Sequence, residues 1–128
     1  DPNKRIRSKA EALLLERHDE AVFARARELM NSDIVMHRLM GLSLINRFGG
    51  WRSLADLIDA CLDPSSRVAD QAWVDLDAWI VYARRLFTDA EPTDLERART
   101  AMSRVRSAST DLSLAHRQIL SALQAFLT

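Results

Sequence analysis

Three observations predict an all-α fold assembled from stacked helical hairpins. The chain has three Gly and three Pro in 128 residues, and these breakers fall between periodic segments rather than inside them. Within the segments apolar residues recur at i, i+4 and i+8, one stripe of a 3.6-residue helix, whereas the period-two alternation of a half-buried strand is nowhere sustained. The third observation is self-similarity: DPNKRIRSKAEALL at Asp1 returns as DPSSRVADQAWVDL at Asp63, 62 residues on, which is twice 31.

Taken in order, the pattern predicts helices over 3–17, 20–31, 34–48, 52–62, 65–88, 94–107 and 112–127, about seven in all. Asp33, Asp63, Thr93 and Asp111 stand where a side-chain oxygen can accept from the orphan amides of a first turn, and Thr93 with Glu96 has capping-box spacing. Gly49 suits the left-handed turn that closes a helix.

The 31-residue step survives at the intermediate copy, where Arg7 falls on Arg38, Ala10 on Gly41 and Leu14 on Ile45; one step further, Val68, Ala72 and Leu76 take the places of Ile6, Ala10 and Leu14. The middle position of each stripe is small, which lets a second helix come close. That second helix follows each of the first two copies, with Val22, Ala26 and Met30 matching Leu54, Ile58 and Leu62. A hairpin of this size cannot bury both faces alone, so the units must stack. The units are about 1–32, 33–62 and 63–108, with a terminal helix over 111–127, in a single domain.

With 48% hydrophobic residues the chain can bury a continuous core. Its 18 basic and 18 acidic residues cancel, so no global field draws it to nucleic acid or anionic lipid. Cys61 is alone and periodic with leucines, which makes it a small buried apolar residue rather than half of a disulfide. No apolar run approaches a membrane span and no signal peptide is visible, so a cytoplasmic setting without membrane contact is expected. The start without Met reads as an excised piece of a longer polypeptide.

The third unit is irregular. Val68, Ala72, Leu76, Trp79, Ala83 and Leu86 form its core stripe, and Trp73, Ile80 and Phe87 add a second seam at intervals of seven. That seam is either covered by the following helix or neighbouring repeats, or is an exposed aromatic anchor for a partner. Leu95, Ala98, Met102 and Val105 give the next helix a narrow apolar edge.

DPxxRVxxxAxxxL, preceded by a helix ending LxxACLD, resembles the HEAT repeat family over residues 1–76, and more weakly beyond. The resemblance implies a right-handed superhelix of stacked antiparallel helix pairs, used generally as a scaffold for proteins and sometimes for nucleic acid. Ala69 departs from the usual Arg and His37 from the usual branched aliphatic residue. Armadillo-type pairs or an unrelated α-α bundle are the alternative architectures.

Catalytic patterns are sparse. His18, His37 and His116 share no ligand spacing, no glycine-rich phosphate loop occurs, and Asp70, Asp75 and Asp77 read as a solvated acidic pattern, with 70 and 77 on one face and 75 turned away from it. The expectation is a non-enzymatic interaction or regulatory domain without cofactor or metal, bound to a protein partner or to other domains of the parent chain. Helical phase turns Arg25, Glu28, Arg52, Asp56, Asp59, Arg97 and Arg104 outward on the second helices of the pairs, a mixed-charge partner strip. The alternative is nucleic-acid binding through the helix 94–107, where Arg97 with Arg104 and Arg99 with Arg106 recur at seven and could track phosphates.

Overall fold

A computed structural model describes residues 19–83, 89–108 and 111–128. Regular structure there is helical: α1 (19–30), α2 (Val35–Phe48), α3 (Gly50–Ala60), α4 (Ser66–Ala83), α5 (Pro92–Ala108) and α6 (Leu114–Leu127). No strand occurs among the described residues. The helix expected over 3–17, with Ala10, lies outside them, as do Leu86 and Phe87 at the end of the expected third-unit helix.

Helix ends follow local chemistry, with several shifts from expectation. Gly49 closes α2 at φ +60°, its amide donating to the Ile45 carbonyl, and Gly50 at φ +66° starts α3 directly. The helix therefore begins two residues earlier than predicted, because paired glycines make the whole turn. Asp63 acts as foreseen, its Oδ1 accepting from the Ser65 amide at 2.9 Å. Asp33 does not cap α2, whose N-cap is Ile34 with no side-chain cap hydrogen bond; the Ser32 hydroxyl accepts from the Ile34 amide in the turn before it, at 3.1 Å. Ser113 rather than Asp111 caps α6, accepting from the His116 amide. Thr93 is inside α5, since Pro92 takes the first helical position, where its missing amide costs nothing.

Packing bears out the small position of the stripe. An added Cβ at Gly41 would lie 2.6 Å from the Ala26 carbonyl oxygen and 2.8 Å from the Met30 amide nitrogen, so α2 crosses α1 backbone to backbone. Ala72 is fully buried. α3 touches α2, α4 and α5, α4 also touches α2 and α6, and α5 also touches α6. Leu42, Ile45, Leu54, Leu57, Ile58, Leu76, Val105 and Leu123 are buried completely in the shared core. Two polar groups tie the turns into it: the Ser53 hydroxyl donates to the Ile45 carbonyl, and the Trp79 indole donates to the Gly50 carbonyl, both at 2.8 Å.

The second seam of α4 is interior. Trp73 is 6% exposed and Ile80 4%, so neither is an exposed partner anchor. α6 explains the cover: the His116 ring stacks on Trp73 with centroids 4.1 Å apart and planes within 6°. Asp75 also departs from the solvated face on which Asp70 and Asp77 lie. It is 7% exposed, its Oδ1 accepts from the Gln71 amide at 2.9 Å, and burial pushes its carboxyl above the usual range. Among the described residues no helix is long and apolar enough to cross a membrane.

Candidate partner-binding face

The charged strip is organised by α3. Arg52, Asp56, Asp59 and Asp63 stand four, three and four residues apart, which places them along one side of a helix and its C-terminal turn. Each meets an opposite charge from a different element. Arg52 donates twice to Glu20 of α1 at 2.7 Å. Asp56 accepts from Arg27 of α1 at 3.2 Å and pairs with Arg97 of α5 at 3.5 Å. Asp59 accepts from Arg104 of α5 at 2.7 and 3.0 Å, and Asp63 accepts from Arg38 of α2 at 2.9 and 3.1 Å.

An aromatic ring sits beneath the first of these pairs. The buried Phe23 has the Arg52 guanidinium 3.9 Å and the Arg27 guanidinium 5.0 Å from its centroid, and it meets Phe48 edge to face. Both cations are thus positioned by the ring as well as by carboxylates. Next to Asp56 opens a cavity of about 420 Å³, whose walls include Arg27, Asn31, Asp56, Asp59, Asp63 and Arg97.

Burial separates members of the strip that charge alone would group together. Burial raises the Asp56 carboxyl above its ordinary range, against the opposing pull of Arg27 and with a further push from Asp59. Glu20, on the outside, is held below the usual range by its hydrogen bond to Arg52. Cys61 is buried, and its thiol is pushed up to about 12, chiefly by burial and then by Asp59 and Asp75. A thiol in that state is a packing group rather than a nucleophile at neutral pH.

Of the seven strip residues expected from sequence, five are joined across helices: Arg52, Asp56, Asp59, Arg97 and Arg104. Arg25 and Glu28 pair with each other at 2.8 Å, one turn apart and well exposed. Asp56 corrects the expectation of an outward side chain, for it is 18% exposed and sits between two guanidiniums. Glu20, Arg27, Arg38 and Asp63 belong to the same network and were missed, because helical phase says which way a residue points and not what it reaches.

Three of the four arginines that could track phosphates make contacts within the domain. Arg97 and Arg104 are engaged by Asp56 and Asp59, and Arg99 donates to the Leu127 carbonyl at the end of α6 at 2.8 Å. His37 lies 3.1 Å from the Ser32 hydroxyl, His116 lies on Trp73, and His18 is outside the described residues. No group of three or more His, Cys, Asp or Glu able to hold a metal ion occurs among the described residues. Comparison of the chain with family models, curated proteins and solved structures finds no match.

Proposed function

We propose that this chain is a non-enzymatic interaction or regulatory scaffold domain of HEAT-like helix pairs, and that it receives a protein partner, or another domain of its parent chain, on the face of α1, α3 and α5. One observation carries the reading: acids and bases alternate and pair across all three helices, from Glu20–Arg52 through Asp56 to Asp59–Arg104. Such a face suits a polar protein surface that exchanges partners with these pairs. A phosphate backbone instead favours guanidiniums left free for it.

The order of the pairs supports the helix-pair architecture. Glu20 and Arg27 reach Arg52 and Asp56, and Asp56 and Asp59 reach Arg97 and Arg104, with residue numbers ascending on both helices each time. Helices two apart then run the same way, as a stack of antiparallel pairs requires. The close crossing at Gly41 and the Arg38–Asp63 link between successive units agree with a 31-residue repeat stacked in this manner.

A charge swap tests the docking face. Asp59→Arg combined with Arg104→Asp keeps an exposed ion pair while reversing its sign on the surface. Crosslinking in cells that express the parent protein should recover the wild-type partner and lose it with the swap, while the urea melt of the domain is unchanged. Equal recovery by both forms would move the docking face elsewhere. Tight, steeply salt-dependent binding to duplex DNA would put the nucleic-acid reading in its place.

A further inference from the structure

We infer that Asp56 is a proton-operated counter-ion that clamps Arg27 of α1 and Arg97 of α5 to α3, and that neutralising it releases both guanidiniums into the adjoining cavity. The inference is independent of which partner docks on this face. One oxygen, Oδ2, carries the whole link: Arg27 donates to it through Nε at 3.3 Å and through a terminal nitrogen at 3.2 Å, and Arg97 approaches it to 3.5 Å. Among the described residues no other ion pair in the strip joins three helices through one carboxylate.

The surroundings decide which way the clamp moves. Asp56 meets Arg27 from α1, Arg52 and Asp59 along α3, Asp63 in the turn beyond it, and Arg97 from α5, which also has Asp94 at 3.9 Å. Asp59 is engaged by Arg104 and Asp63 by Arg38, so neither is free to replace Asp56 as the partner of Arg27. Both clamped arginines are 40% exposed, and the cavity of about 420 Å³ beside them has room for their heads to turn into water.

The thermodynamic sign is favourable. The carboxyl of folded Asp56 holds its proton to a higher pH than that of the unfolded chain, because burial outweighs the attraction of Arg27. Between the ordinary aspartate value and the raised one, acidification therefore adds stability through this group rather than removing it. Release of the arginines is then a change at the surface of a folded domain, not the first step of unfolding.

Carbon- and nitrogen-detected NMR of the intact chain tests this by following the Asp56 carboxyl together with the side-chain Nε of Arg27, Arg97 and Arg104 through an acid titration. The Asp56 midpoint should lie above that of an ordinary aspartate, and Arg27 and Arg97 should move with the same midpoint while circular dichroism stays constant. D56N at neutral pH should place both arginines where acid places them in the wild type, whereas D59N should move Arg104 and leave Arg27 unchanged. The inference is overturned if the two arginines ignore the Asp56 titration, if Asp56 titrates at or below the ordinary range, or if they move only as the helices melt. Should D56N fail to fold, the wild-type titration decides on the same criteria.

Discussion

The polar face of α1, α3 and α5 and the aromatic join of α4 with α6 hold helices together by opposite means. On the first, arginines and carboxylates reach across from positions that, Asp56 apart, are exposed or half-exposed. On the second, Trp73 is buried beneath His116, and Trp79 meets Trp51 and Phe126 edge to face at 5.2 and 6.0 Å. An exposed ion pair contributes about 0–1 kcal/mol, while truncating one buried leucine costs about 2–5 kcal/mol. The difference teaches that the apolar interior fixes the fold and the charged face can be spent on recognition.

The comparison is broken most directly from the interior. Leu76 is fully buried on α4, so Leu76→Ala is expected to cost about 2–5 kcal/mol in a urea melt, through lost burial and the cavity left behind. A loss below about 0.5 kcal/mol would mean that the stripe does not carry the stability. Gly41→Ala comes next, at about 1–3 kcal/mol, because its methyl group would press on the Ala26 carbonyl and the Met30 amide of α1, which are backbone atoms that cannot rotate aside. An unchanged midpoint there would show that α1 shifts freely and that the small position of the repeat is incidental.

These two sites also mark what the sequence made legible. The helix type, the small position at Gly41 and Ala72, and the core stripe through Val68, Leu76 and Trp79 all follow from apolar periodicity, which burial rewards directly. The strip on α3 was half legible: phase placed Arg52, Asp56 and Asp59 on one side, but the inward turn of Asp56 depends on Arg27 and Arg97 closing over it from two other helices. The fate of Trp73 was likewise a tertiary matter, since the heptad seam cannot announce that His116 will cover it. The cap of α6 slipped for a local reason: Ser113 competes with the neighbouring Asp111 for the same orphan amides, and a shift of two residues changes the winner.

A smaller effect tests the aromatic join. His116→Ala removes a ring stacked on Trp73 from a position that is partly exposed, so a loss of about 0.5–1.5 kcal/mol is expected beyond its modest burial. His116→Phe should recover most of that loss, since a flat ring can occupy the same place. If Phe recovers nothing, the stack contributes little and α6 is held by its other contacts.

The smallest expected effect bears on the opposite region. A double-mutant cycle on Asp59 and Arg104, using Asp59→Asn and Arg104→Gln, isolates their coupling from whatever else each side chain touches. At 40% and 54% exposure the pair should couple by about 0.2–1 kcal/mol at low ionic strength, despite its short 2.7 Å contact, because water screens both charges and two long side chains lose freedom to meet. In about 1 M salt, where the screening length falls to about 3 Å, the coupling should shrink further. A coupling above about 2 kcal/mol that survives salt would make this exposed pair as costly to lose as a buried side chain. The charged face would then be a structural clamp between α3 and α5, a partner could not exchange with it at little cost, and the division of labour between the two regions would fail.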